Sequence, residues 1–261
     1  MSKIITFTGG FGAQLMSAAG YFYLNKLHSE NNNSDIVGAY LGYFNNQPHL
    51  ATPGITGDMS HWKWELGCYG IQASDFIQLQ GSPNDYIWDS HEKIQLGWSG
   101  LCDPEISRRF PIMEDVTKYR NSMFGDGSYG CIHIRRGDYV NVASFMVADE
   151  AFVRVTTNIC KLIKNLLVVS DSPLSTMMIS FFQTLPTNTI VAIGGPPHLV
   201  HGLMRLSDIL ICSNSQYSMT AAALRDKFHL TIYPSQHDED PGSYSNLFLT
   251  SIREFQVITK I

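Results

Sequence analysis

The sequence predicts an α/β protein built from two Rossmann-like halves, and three observations carry that expectation. Short β-branched runs alternate with helix-period segments through residues 131–234. A strand, a glycine turn and a helix open the chain, and a stretch dense in Gly, Ser and Asp at 120–130 (RNSMFGDGSYG) separates the two regions. The halves are therefore expected at 1–122 and 123–261, with a last helix that packs back on the first half.

Each element has its own signal. Residues 3–8 (KIITFT) form a β-branched run that stops at Gly9-Gly10, and FGAQLMSAAGYFYLNKLHSE then carries apolar groups at helical spacing. Asn31-Asn32-Asn33-Ser34 breaks the pattern. The aromatic-rich residues 40–98 yield few assignable elements. Beyond residue 130 the rhythm is regular: strand CIHIR, helix 148–165, strand LLVVS, helix 173–184, strand TIVAIG, helix 198–208, strand ILICS, helix 218–227 and strand HLTIYP. Strands and helices of these lengths in alternation indicate a parallel sheet covered on both faces.

Composition narrows the function classes. Charged residues are 16% of the 261 and apolar ones 44%, with a formal net charge of −5, which argues against a basic nucleic-acid-binding surface. Five scattered cysteines without a C-x-x-C pair read as reduced thiols. The opening MSKIITFTGG has no basic and apolar leader pattern, and no apolar run reaches the roughly 18 residues of a membrane span, so a cytoplasmic protein is expected. The sequon at Asn32 and the tripeptide Arg136-Gly137-Asp138 are read as chance matches in that setting.

The chemistry concentrates in CIHIRRGDYV. Strand alternation sends His133 and Arg135 to one face and Ile132, Ile134 and Arg136 to the other. The carboxyl ends of parallel strands line the ligand crevice, which is where Arg135, Arg136 and Asp138 fall. Guanidinium forks suit paired phosphate oxygens, and two can neutralise a diphosphate without a metal. The alternative is that Arg136 and Asp138 serve structural ion pairs.

The pattern His133-x-Arg135-Arg136-x-Asp138-Tyr139 resembles the first shared motif of the α-1,2-fucosyltransferases, relatives of the α-1,6- and protein O-fucosyltransferases. Four further stretches are similar to that family in the same order: Gly9-Gly10-Phe11-Gly12-Ala13-Gln14, Leu41-Gly42-Tyr43-Phe44, Val169-Ser170-Asp171-Ser172 and Ser213-Asn214-Ser215-Gln216-Tyr217-Ser218. The resemblance implies a GT-B-like fold with two Rossmann-type halves facing a central cleft, the first on the acceptor side and the second binding the GDP-sugar. It also implies metal-independent, inverting transfer of L-fucose from GDP-β-L-fucose to a hydroxyl, commonly O2 of a galactose on a glycan acceptor, with no cofactor. Within it, Arg135 stabilises the departing diphosphate with Arg136 in support. His133 and Asp171 face guanine, and Ser213, Asn214, Ser215 and Ser218 supply donors to phosphate. Gly10, Phe11, Gly12 and Gln14 approach the sugar-phosphate from the first half.

Other readings stand beside these. The SNS stretch alone fits a helix N-cap, and GGFGAQ is half a dinucleotide fingerprint, with Leu15 where the last glycine would be. Ala13 replaces the family's Asn, Ser172 its second Asp, and Asn45 a Gln, which raises the alternatives of another GDP-sugar donor or a GDP-sugar- or glycan-binding protein with lost or weak turnover. Asp138, Glu150 and His49 are candidates for the general base, although Asp138 also suits orienting an arginine. Asp238-Glu239-Asp240 spells D-x-D in a Ser, His, Pro and Gly loop, and a surface loop is preferred over a metal site there.

Overall fold

The structure, a computed structural model, describes residues 3–41, 63–79, 85–87, 91–137, 140, 146–225, 230–235 and 254–258. Asp138, Tyr139, His49, Gly42-Tyr43-Phe44, Asn45 and Asp238-Glu239-Asp240 lie outside them. So does any last helix following residue 235, since the described segment after it, Glu254–Ile258, is a strand. The chain divides into two compact units, Met1–Pro111 and Ile112–Ile261.

In the first unit, β1 (Lys3–Thr6) is flanked in parallel by β2 (Val37–Tyr40) and β3 (Tyr86–Ile87). Between β1 and β2 runs α1 (Phe11–Glu30), whose first eleven residues are buried all round except Ala13. Two 3-10 turns follow β2, at Leu66–Tyr69 and Ala73–Asp75. Then come α2 (His91–Cys102) and the short α3 (Pro104–Ser107), where the Asp103 carboxylate accepts the Glu105 and Ile106 N–H groups and so satisfies two donors the helix cannot.

Helices α1 and α2 pack closely because their contact is built from small residues. A Cβ on Gly100 would stand 2.2 Å from the Ala19 carbonyl oxygen, and one on Gly97 would stand 2.4 Å from Met16 Sδ. Backbone replaces side chain at this seam.

The second unit begins with α4 (Glu114–Phe124) and continues β4 (Gly130–Ile134), α5 (Asp149–Ile159), β5 (Asn165–Ser170), α6 (Thr176–Gln183), β6 (Asn188–Ile193), α7 (Pro197–Leu206), β7 (Ile209–Ile211), α8 (Gln216–Ala223), β8 (Leu230–Ser235) and β9 (Glu254–Ile258). Helix α4 packs on α7, with Val116 against Gly202 and His198 Nε2 3.1 Å from Asp115 Oδ2. It therefore belongs with the second unit, although the expected boundary at 122/123 runs through it.

The sheet order is β6-β5-β4-β7-β8-β9, parallel except for antiparallel β9 at the edge. This is the doubly wound arrangement expected from the alternating pattern. One face buries Ile132, Ile134, Val168 and Ile211 under Phe152 of α5 and Met178 and Phe182 of α6. The opposite face of β4 meets α7. The order reverses at β4, whose neighbours β5 and β7 lead to opposite edges, and such a switch point opens a crevice at the strands' carboxyl ends.

The α1–α2 contact yields a test. Ala normally stabilises a helix relative to Gly by up to about 1 kcal/mol, yet at position 100 the added methyl collides with backbone. Gly100→Ala should lower unfolding stability by about 1–3 kcal/mol in urea titration. An unchanged or raised midpoint would show that the helices stand further apart.

Candidate active site

The switch point gathers three of the sequence-marked stretches. The loop after β4 carries Arg135, Arg136 and Gly137; the end of β5 carries Asp171 and Ser172; the turn from β7 into α8 carries Ser213, Asn214 and Ser215.

Asp171 fastens the first two together. One carboxylate oxygen takes Arg135 Nη1 at 2.6 Å, and the other accepts the Arg136 backbone N–H at 2.8 Å. Ser172 Oγ accepts the Gly137 N–H at 3.2 Å, so the residue that departs from the family pattern still supplies an oxygen to the same loop. The loop closes so tightly that Gly137 sits at φ +23°, and a Cβ there would lie 2.4 Å from Asp171 Oδ2.

The two arginines part company. Arg135 keeps 28% of its side chain exposed beside Asp171, which is 23% exposed. Arg136 follows Ile134 onto the α5 face. There it is 11% exposed, pairs with Asp149 and lies 5.8 Å over the Phe152 ring. Asp149 also accepts Ser175 Oγ at 2.8 Å, joining the first turn of α5 to the N-cap of α6. Arg136 is thus tied into the helix layer, as the structural reading anticipated, and Arg135 is the more open cation. Asp149 was not singled out in the sequence, where it is one acid in an ordinary helix-starting ADE.

His133 points to the other face of β4. It is buried, its Nδ1 is 2.9 Å from Ser213 Oγ, and its ring meets Tyr217 edge-on at 5.4 Å. Burial, with the Arg135 charge adding to it, pushes its pKa down to about 3, so the ring is neutral at neutral pH. His201 of α7 flanks Tyr217 from 5.5 Å, lies 3.1 Å from Thr220 Oγ1, and is likewise held far below the usual value by burial.

The serine turn is self-supporting. Ser218 Oγ donates to the Ser213 carbonyl at 3.1 Å, and Ser215 is the N-cap of α8, accepting the Tyr217 N–H. Ser213, Asn214, Ser215 and Ser218 are all buried. The N-cap role is therefore real, and it sits beside β4 at the switch point.

In the first unit the glycine turn is held from inside. Gly9 has φ +72° and leads into Gly10, the N-cap of α1, with Phe11 and Gly12 buried behind it. Gln14 is fully buried. Its amide nitrogen donates to the Gly9 carbonyl at 3.1 Å and the Lys63 carbonyl at 2.7 Å, and its oxygen accepts the Glu65 N–H at 2.9 Å. The side chain expected to approach a ligand stitches the turn to residues 63–65. Glu150 is exposed in the first turn of α5.

Among the described residues no three His, Cys, Asp or Glu side chains gather as metal ligands would, and no helix is long and apolar enough to cross a membrane.

Neither a family description nor a curated protein matches the sequence. Among solved structures, the chain is similar to POFUT1 in complex with GDP, at 10% identity over 86% of this chain and 94% of that one, with a TM-score of 0.46. It is also similar to NodZ α-1,6-fucosyltransferase co-crystallized with GDP, at 12% identity over 99% of each chain and a TM-score of 0.43. Fucosyltransferase NodZ from Bradyrhizobium gives 12% identity over 100% of each chain and a TM-score of 0.43. The likeness is distant.

The buried histidines make stability pH-dependent. Their folded pKa values are depressed, so below about pH 6.5 the unfolded chain binds protons that the folded chain refuses, and stability falls as pH drops. Each histidine contributes a slope approaching about 1.4 kcal/mol per pH unit below that point. His133→Asn should flatten the decline between about pH 6 and pH 4 relative to the parent in denaturant titrations. Equal slopes would mean that His133 takes up its proton while folded.

Proposed function

We propose that this chain is a glycosyltransferase that moves L-fucose from GDP-β-L-fucose to a hydroxyl of a glycan acceptor, with O2 of a galactose as the acceptor oxygen. The observation that carries the reading is Arg135, held by Asp171 at the switch point of a doubly wound sheet, within the motif that resembles the fucosyltransferases. The serine turn of β7–α8, on the neighbouring strand, adds the N-terminal end of a helix.

The chemistry follows from charge. When the bond between the anomeric carbon and the β-phosphate breaks, both electrons leave with GDP, and negative charge grows on the phosphate oxygens. A guanidinium fixed in advance lowers that barrier because no dipoles need to reorient during the step. Asp171 sets the position of Arg135. Arg136 secures the loop through Asp149, and its backbone N–H secures it through Asp171. Attack by the acceptor oxygen from the side opposite GDP inverts the anomeric centre. In this mechanism arginine supplies the positive charge, and no metal is required.

Ala13, partly buried where the family carries an amide, favours a second reading: a GDP-sugar- or glycan-binding protein without turnover. One assay separates the two, and replacing the donor by GDP-mannose identifies a transferase of different sugar specificity. Purified protein should release GDP from GDP-fucose when a galactoside is present, in EDTA. Arg135→Ala should reduce that rate by about 10²–10³. GDP binding without transfer to any of a broad acceptor panel would support the binding protein, and near-normal turnover by Arg135→Ala would remove Arg135 from the mechanism.

A further inference from the structure

The first sheet closes its β2 edge, and the second leaves an edge open. Beyond β2, residues 77–79 take up the edge: the Ala39 N–H donates to the Ile77 carbonyl at 2.8 Å, and the Ala39 carbonyl accepts the Leu79 N–H at 3.2 Å. Strand β6 (NTIVAI) ends the second sheet, with β5 on one side and no described strand on the other. A bare edge is ordinarily guarded by Lys, Pro or a bulge, because its backbone groups are a template for another strand. Strand β6 holds no charged residue and no proline.

The register says which groups are bare. The Asn188 N–H donates to the Lys164 carbonyl at 2.8 Å and the Gly194 N–H to the Ser170 carbonyl at 2.7 Å, so Asn188, Ile190 and Ala192 turn their backbone toward β5. Alternation then turns the N–H and C=O groups of Thr189, Val191 and Ile193 outward. Their side chains share the face of their β5 partners Leu166, Val168 and Ser170, where α5 and α6 pack. The helix layer stops short of the edge: Val191 is 39% exposed and Ile193 47%, and α6 itself exposes Met177 and Ile179. Apolar side chains thus stand beside backbone groups that want a strand.

The pattern is its own complement. In an antiparallel pair, residues of a hydrogen-bonded pair exchange both bonds. With Val191 opposite the Val191 of a second copy, Thr189 falls opposite Ile193 and Ile193 opposite Thr189, so every outward N–H and C=O of these residues is satisfied. The two-fold axis passes between the two Val191 residues perpendicular to the sheet, which keeps both α6 helices on one face. No charge within the strand meets a like charge across the axis. A strand of this length spans about 20 Å, and with the adjoining helix layer the edge buries about 400 Å² per copy, about half of a standard interface. That area fits a reversible dimer.

We propose that β6 pairs antiparallel with β6 of a second copy of this chain, joining the two sheets into one. The carboxyl ends of the two sheets then point opposite ways, so the second unit of neither copy covers the other's crevice at Arg135. The pairing is independent of the chemistry at that crevice.

Sedimentation equilibrium from about 5 to about 500 µM should show the average mass rising from that of one chain toward that of two. Val191→Lys and Val191→Glu each set like charges against each other at the axis, and each should keep the protein monomeric through that range. An equimolar mixture of the two variants should restore the dimer, because Lys then stands opposite Glu. In the unaltered protein, amide hydrogen exchange at Thr189, Val191 and Ile193 should slow by about fivefold or more between the ends of the concentration range, and at Ile190 and Ala192 by less. A parent that stays monomeric at about 500 µM overturns the pairing and leaves the edge to a strand of another protein. A dimer that persists in both single variants, or a mixture that stays monomeric, also overturns it. So do outward amides whose exchange is indifferent to concentration, a result that holds even where a variant fails to fold.

Discussion

The carboxylate of Asp171 is the interaction on which the candidate site depends. It stands at the carboxyl end of β5 and reaches across to the loop after β4, taking a guanidinium on one oxygen and a backbone N–H on the other. Both partners are about a quarter exposed, so the ion pair adds little to global stability. Its effect is positional. An arginine on a free loop samples many rotamers, and holding it in one costs entropy. Asp171 meets that cost before any ligand arrives, which is what electrostatic preorganisation requires.

The same economy governs the other charges of a chain that has few of them. Arg120 donates to the Gly125 and Gly127 carbonyls, ending α4 and shaping the approach to β4. The buried Arg225 donates to the Ser207 and Leu230 carbonyls, tying the end of α8 to the strands β7 and β8. Buried guanidinium is tolerated where its N–H groups are taken up by backbone oxygens. Arginine is used here as a fastener for loops at both ends of the sheet.

The second unit was legible because its strands and helices have different hydrophobic periods, and every element expected between 131 and 234 has a counterpart there. The first unit was less so. Residues 66–75 form brief 3-10 turns whose place depends on Gln14 and on aromatic packing rather than on any local period. At the site, strand position marked Arg135, and motif resemblance marked Asp171 and the serine turn, but neither could say what each touches. Strand alternation pointed Arg136 correctly toward the α5 face, but only packing shows Asp149 waiting there.

Gly137 ties heredity to geometry. The space that a side chain would occupy at that position is filled by an Asp171 oxygen, so neither residue can drift alone. Among descendants of a common ancestor, loss of the acid should release the glycine, and retention of the acid should hold it. The two positions, 34 apart in sequence, ought to be inherited as one character.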